Sequence, residues 1–342
     1  MKTKKIAKYV TLFFIKYLSE ERGVSHNTIR SYSNTFKLFL KYMSEIKHIP
    51  AESIELEHIN RDTILGFLDW LENTRACSTA TRNQRMAGIH SFCKFMQYED
   101  VEHIEQWQQI LSIKFKKAPK PKMNYLSVEG VKFLLEQIPQ YTTAGRRDLA
   151  MLALLYDSGA RVQELADLIP QSLHLTPPYY VTLFGKGSKT RTVPLQDKQV
   201  ELLKNYIEEN KLNKPSFNQR PLFANNRGGK FTTAGIAYVL HHYVVMAHIK
   251  NPDLIPDKIT PHCLRHSKAM HMLQAGLNLV YIRDILGHVS ITTTEVYARA
   301  DSKQKREAIE AAYSEVLPKQ LDMASWEKDS ELMTWLKKLG KQ

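Results

Sequence analysis

His262, Arg265, His288 and Tyr297 lie close together in the stretch TPHCLRHSKAMHMLQAGLNLVYIRDILGHVSITTTEVYAR, residues 260–299. Two histidines and an arginine can hold a phosphate, and a tyrosine can attack one. Arginine suits the first task because its planar fork grips two phosphate oxygens at once. Tyrosine needs help for the second: with a pKa of about 10 it attacks at neutral pH only beside positive charge. Each residue also has an ordinary reading. The chain has 16 tyrosines, and a helical tyrosine is commonly a packing residue. A histidine after a glycine at a helix end is commonly a C-cap. Arg265 is the least ordinary, since a cation in a helix's first turn opposes the helix dipole.

The local elements are readable. Thr260 is a good N-cap and Pro261 suits the first helical position, so His262 and Arg265 share one face of a first turn. Free N–H groups at such a helix start attract anions. A second helix over 279–286 stops at Gly287, a favoured C′ residue, which leaves His288 just past the helix end. A third begins near Thr292, where Thr292 and Glu295 fit a capping box, and holds Tyr297 in its second turn.

Upstream, residues 158–165 read SGARVQEL. Ser158-Gly159 breaks the helix predicted over 146–156, and Glu164 can pair with Arg161 at i,i+3; an ordinary surface ion pair has the same spacing. Residues 179–184 and 191–195 are strand-like and flank GKGSKT, a tight glycine-flanked turn that presents Lys186 at its tip with Lys189 beside it. Such lysines are either solvated or able to reach a phosphate-lined groove.

Residues 1–113 read as helical, with helices over 6–21, from Ser25 or Asn27 onward, over 62–72, from an N-cap at Ser78, and near 104–111. The Ser78 helix is expected to expose Thr79, Thr81, Arg82, Asn83 and Arg85. That face is either solvated or set against a DNA groove, where Arg and Asn reach base edges. Residues 114–122, KFKKAPKPK, hold five lysines, two prolines and no acid. They read as a stiff, solvated linker whose Lys116, Lys117 and Lys120 could track phosphates. Residues 303–316 read as helix ended by Pro318. Beyond it Leu332, Met333, Trp335, Leu336 and Leu339 follow helical spacing. A short amphipathic helix there needs a surface, on its own domain or on a neighbouring protomer.

The composition fits this organisation. A chain of 342 residues with 43% hydrophobic residues supports two domains. Lys and Arg number 48 against 35 for Asp and Glu, a net charge of +13 that favours a polyanionic partner. Cys77, Cys93 and Cys263 have no paired spacing, which disfavours a disulfide framework or zinc site and fits a reducing cytoplasm. No apolar run is long enough for a membrane span or a signal peptide. The sequence carries no P-loop and no carboxylate metal cluster. The expected fold class is mainly α with a small β-sheet, α+β.

Taken in order, Arg161, Lys186, His262-x-x-Arg265, Leu286-Gly287-His288 and Tyr297 resemble the tyrosine recombinase (phage integrase) family, close to its Xer-like and simple integrase members. SGARVQEL resembles the box of the first arginine, GKGSKTRTVPL the hairpin lysine, TPHCLRHSKAMHML the H-x-x-R box and LGHVSITTTEVYAR the box of the second histidine and nucleophile. The resemblance covers most of residues 125–300. A looser one, Ser25…Thr28…Tyr32 and Ser78…Arg85, is similar to the family's helical, SAM-like core-binding domain.

The resemblance implies the following organisation: residues 1–113 as core-binding DNA-binding domain, 114–124 as basic linker, 125–317 as catalytic domain, and 318–342 as a tail that docks on its own domain or a neighbour. It implies site-specific cleavage and rejoining of DNA through a 3′-phosphotyrosyl link, in a mobile element or an Xer-like system. Arg161 and Arg265 would clamp the phosphate and Tyr297 attack it. His262 would act as base, Lys186 protonate the departing 5′-oxygen, His288 donate a hydrogen bond to the phosphate, and Glu164 orient the site. No metal or cofactor is expected, because cationic side chains supply the charge and the phosphotyrosyl link conserves the bond energy. The implied partners are specific duplex sites and copies of the chain itself, a dimer on a site and a tetramer in synapsis, with no membrane. Two rivals remain: a type IB topoisomerase-like nicking-resealing enzyme, and a non-catalytic DNA-binding protein on the same fold.

Overall fold

A computed structural model describes residues 6–119, 123–185, 189–214, 219–288, 290–300 and 330–339. The chain divides into two compact units, Met1–Pro121 and Lys122–Gln342.

The first unit is helical. Helix α1, Ile6–Leu12, runs straight into a π-helical segment, Phe13–Glu21, where a single α-helix is predicted from the sequence. Burial explains the widening. Tyr9, Phe13 and Leu18 are the inward residues, and the step of five from Phe13 to Leu18 fits a π turn rather than an α turn. Phe13 then sits in an aromatic cluster, 5.4 Å from Phe92 and 5.7 Å from Phe95. Helices α2 (His26–Glu45), α3 (Arg61–Asn73) and α4 (Thr79–Glu99) start where capping side chains stand. Ser25, Asn60 and Ser78 each accept a backbone N–H of the first turn. Helix α5, Ile104–Leu111, closes the core through buried Trp107 and Ile110.

The second unit is mixed. Helices α6 (Val128–Glu136) and α7 (Thr143–Asp157) are capped by Ser127 and Thr142. Met151, Leu152, Leu154 and Leu155 are fully buried, so α7 runs through the core. Short helix α8, Val162–Ala166, follows the break at Ser158-Gly159. A three-stranded antiparallel sheet comes next, in the order β1 (Leu173–His174), β2 (Tyr180–Phe184), β3 (Thr190–Pro194). Tyr180 pairs with Pro194 and Phe184 with Thr190. Val181, Leu183 and Val193 point into the core. Strand β1, only two residues long, leaves no alternation for a sequence reading to detect. Helices α9 (Asp197–Glu209) and α10 (Thr233–Lys250) complete the body. The inward residues of α10, Ile236, Leu240, Tyr243, Val244 and Ala247, form one helical stripe.

The next three helices position His262, Arg265, His288 and Tyr297. They are α11 (Pro261–Gln274), α12 (Leu279–Leu286) and α13 (Glu295–Ala300). The cap before α13 differs from expectation. Ser290, not Thr292, is the capping residue; it accepts the Thr292 N–H and starts a 3-10 turn, Ile291–Thr293. Helix α13 therefore begins at Glu295, and Tyr297 lies in its first turn. The terminal helix Ser330–Leu339 leaves Trp335, Leu336 and Leu339 exposed. The helix predicted over 303–316 lies outside the described residues. Among the described residues, no helix is long and apolar enough to cross a membrane.

Candidate active site

The site is built on the C-terminal end of α12. The last carbonyls of a helix have no partner within it and carry partial negative charge. Here three consecutive carbonyls are taken by three guanidinium groups. Arg191 on β3 donates Nε to Ile285 O at 2.8 Å, Arg265 on α11 donates Nη2 to Leu286 O at 2.6 Å, and Arg161 before α8 donates Nη2 to Gly287 O at 2.9 Å. The end of one helix thus gathers arginines from three distant parts of the chain.

Two glycines make this packing possible. Gly287 closes α12 in the left-handed conformation at φ 65°, and a Cβ there would come within 2.9–3.1 Å of the Arg191 side chain. Gly159, at φ 57°, would meet Leu286 at 2.9 Å. Its carbonyl accepts Arg265 Nη1 at 2.6 Å, so Arg265, only 1% exposed, is held at both ends of its fork.

Glu164 ties the cluster together. Its Oε1 accepts from Arg161 at 2.7 Å and Arg191 at 2.9 Å; its Oε2 accepts the Arg161 backbone N–H at 2.8 Å and Arg191 at 2.7 Å. Burial alone would raise its pKa, but Arg191 and then Arg161 outweigh burial and hold it at about 2. One carboxylate against three guanidiniums leaves the cluster positive. Burial, followed by the charges of Arg161 and Arg191, lowers Arg265 to about 10. A cleft of about 580 Å³ opens beside the cluster, lined by Arg161, Lys189, Thr190, Arg191 and His288 among others.

The aromatic part adjoins it. Tyr297 is 2% exposed and packs on Met270, Leu273, Ile282 and Leu286. The His288 ring lies nearly parallel to it, with centroids 6.3 Å apart, and His288 Nδ1 pairs with buried Thr294 Oγ1 at 3.0 Å. His266, one turn after His262 on α11, meets Tyr297 Oη through Nδ1 at 3.0 Å. His262 packs edge-on against His266 with centroids 4.1 Å apart. Burial is the first cause lowering all three histidines, helped by the nearby positive groups; His266 and His288 fall to about 4. Burial raises the Tyr297 phenol, and Arg265 and Arg161 oppose that rise.

Arg161, Glu164, Arg265, His262, His288 and Tyr297 are thus gathered around one helix end and the aromatic pocket beside it. Lys186 lies outside the described residues. Two further members are Arg191, which in sequence looks like an ordinary strand residue, and His266, whose only sequence signal is its i,i+4 spacing from His262.

The residues expected to face DNA fare differently. Arg82 is 4% exposed rather than on an open face, with Nε 3.4 Å from Glu72. Its side of α4 meets α3, so the guanidinium is covered. The Asn83 amide is occupied at both ends by the Lys116 backbone, at 2.7 and 3.1 Å. Arg85 donates to Ser31 O at 3.1 Å on α2. Lys116 pairs with Glu72. Thr79 is half-buried, whereas Lys117 and Lys189 are exposed. Lys120 lies outside the described residues.

Comparison with known proteins identifies the family. Residues 124–304 match the model of the phage integrase family, and residues 13–100 match that of the phage integrase N-terminal SAM-like domain. Tyrosine recombinase XerD of Oceanobacillus iheyensis is 36% identical over 83% of this chain and 91% of its own length. Two solved structures share the fold. The XerH site-specific recombinase in a post-cleavage complex with palindromic difH substrate has a TM-score of 0.65 at 23% identity, over 84% of this chain and 80% of its own. The Tn1549 transposon integrase in complex with transposon right-end DNA has a TM-score of 0.68 at 16% identity, over 88% of this chain and 98% of its own. The chain belongs to the phage integrase family and is a tyrosine-type site-specific recombinase.

Proposed function

We propose that this recombinase cleaves one DNA strand at a time through Tyr297, forming a 3′-phosphotyrosyl link and freeing a 5′-hydroxyl. The observation that carries the reading is the Arg161–Glu164–Arg191–Arg265 cluster on the end of α12, with Tyr297 beside it. Phosphoryl transfer requires stabilisation of charge on the non-bridging oxygens, and rigid, pre-paired guanidiniums supply it without reorganising. In this reading Arg161, the more exposed fork, and Arg265 grip the phosphate. Glu164 and Arg191 fix their positions. His288 donates to a phosphate oxygen, and Lys186 protonates the departing 5′-oxygen. His262, kept neutral by burial and the arginines, packs against His266 beside them.

Residues 1–113 would bind the duplex as a core-binding domain and 125–317 catalyse, with the lysines of the 114–124 linker following phosphates between them. XerH is bound to its palindromic difH substrate and the Tn1549 integrase to transposon right-end DNA, which supports a duplex partner here. Two copies would occupy a site and four would synapse, in the cytoplasm, with strands exchanged through a four-way junction. The terminal helix, with exposed Trp335, Leu336 and Leu339, would dock on a neighbouring protomer.

The test uses a nicked suicide duplex taken from the DNA flanking the chain's own reading frame. Mass spectrometry of the trapped adduct should find the nucleotide on the peptide containing Tyr297. An adduct on another residue would overturn the assignment.

A further inference from the structure

A nucleophilic phenol must lose its proton, and the described residues offer Tyr297 one direct acceptor. Helix α11 carries His262, Arg265 and His266 at i, i+3 and i+4, so all three line one face. The residue that reaches Tyr297 is His266, with Nδ1 at 3.0 Å from Oη and ring centroids 5.5 Å apart. His262 makes no hydrogen bond to Tyr297 and instead packs against the far partner in that contact, His266. Arg161 and Arg265 favour the phenolate by their charge but accept no proton.

We propose that His266 is a catalytic residue, the base that takes the Tyr297 proton, in place of His262. The proposal rests on the reading that Tyr297 is the nucleophile. As Oη attacks, the Oη–H bond breaks and its proton passes to His266 Nδ1, giving an imidazolium. The Oη–P bond forms, and the P–O5′ bond breaks with its electron pair on the departing 5′-oxygen, which takes a proton from Lys186. On rejoining, the incoming 5′-hydroxyl gives its proton back to Lys186 as its oxygen attacks phosphorus, the P–Oη bond breaks, and His266 returns its proton to Oη.

The electrostatics allow this. The groups facing the His266 ring are His262 and Arg265 from its own helix and Tyr297 from α13, with His288 lying against Tyr297. Burial, then His262 and Arg265, keep the ring neutral and therefore able to accept a hydrogen bond at neutral pH. A phosphate bound by the arginines offsets their repulsion of an imidazolium. Substrate binding thus strengthens the base at the step that needs it.

The experiment is single-turnover formation of the covalent complex by the full chain on the nicked suicide duplex, alongside a measurement of duplex affinity. His266→Ala is expected to slow adduct formation about 100-fold, the low end for a positioned base, with affinity unchanged. Two additions should each restore rate to this variant: exogenous imidazole, and a fluorinated tyrosine at 297 whose phenol loses its proton more readily. Wild-type rates in His266→Ala would overturn the proposal. So would a loss that neither addition restores, which marks a structural role, or restoration confined to His262→Ala, which returns the base to His262. If Tyr297→Phe still forms the adduct, the nucleophile itself is misassigned and both readings fall together.

Discussion

Arg191 donates both terminal amino groups to Glu164, at 2.9 and 2.7 Å, while its Nε holds the carbonyl of Ile285 at the end of α12. Strand β3 is thereby bolted to the helix end that also seats Arg161 and Arg265. Replacing Glu164 by Gln removes a buried carboxylate from between two guanidiniums and leaves positive charge unpaired. The expected result is loss of thermal stability at neutral pH together with loss of covalent-complex formation. The pH dependence has a definite sign. A carboxyl held at about 2, against an ordinary 4.5, adds stability that is fully present above 4.5 and is lost as pH falls toward 2. The difference corresponds to on the order of 3 kcal/mol. Denaturant melts should therefore show the gap between wild type and Glu164→Gln shrinking from pH 5 downward. A constant gap would contradict the ion-pair account.

Gly287 carries both a left-handed φ and the close approach of Arg191. Gly287→Ala should cost about 1–2 kcal/mol of backbone strain alone and displace the Arg191 side chain. Melting measurements and adduct assays should show reduced stability and at least about tenfold slower cleavage, since displacing Arg191 loosens the anchor that holds Arg161 and Arg265 in place. A variant with wild-type melting and cleavage would show that the Gly287–Arg191 packing is dispensable.

Arg82 and Lys117 should separate structure from DNA contact. Arg82→Ala opens a buried pair with Glu72 and should lower the melting temperature of the first unit. Lys117→Ala should leave melting unchanged and reduce the salt slope of duplex affinity by roughly one ion. Unchanged melting with lost sequence preference in Arg82→Ala would restore it to a base-reading role.

The terminal helix offers Trp335, Leu336 and Leu339 to solvent, and so short a helix is marginal without a partner surface. Removing residues 319–342 should leave binding of one copy to a half-site intact but reduce cooperative binding to a two-site duplex. Band-shift titrations measure both. Unchanged cooperativity would assign the tail to its own protomer.

Much of this was legible from residue types and spacing. Caps at Ser25, Ser78, Ser127 and Thr260 marked helix starts because each offers an oxygen to the first turn, and Gly287 marked the end of α12. What stayed hidden depends on which elements meet. Periodicity shows that α4 has a polar face but not that Glu72 covers Arg82 on it. A strand arginine such as Arg191 gives no local sign that a carboxylate from α8 and a carbonyl from α12 converge on it. His266 shares a helical face with His262, and only the position of α13 decides which of them meets the phenol. The π segment after Leu12 was unreadable for the same reason, since which of its residues turn inward depends on partners such as Phe36 on α2 and Phe92 on α4.

Tyr297 is the centre of the proposed chemistry. The decisive measurement compares wild type with Tyr297→Phe on the nicked suicide duplex, scoring SDS-resistant protein–DNA complex beside duplex affinity. Wild type should accumulate the complex, and the variant should bind the same duplex with equal affinity and form none. A covalent complex in Tyr297→Phe would contradict the central claim.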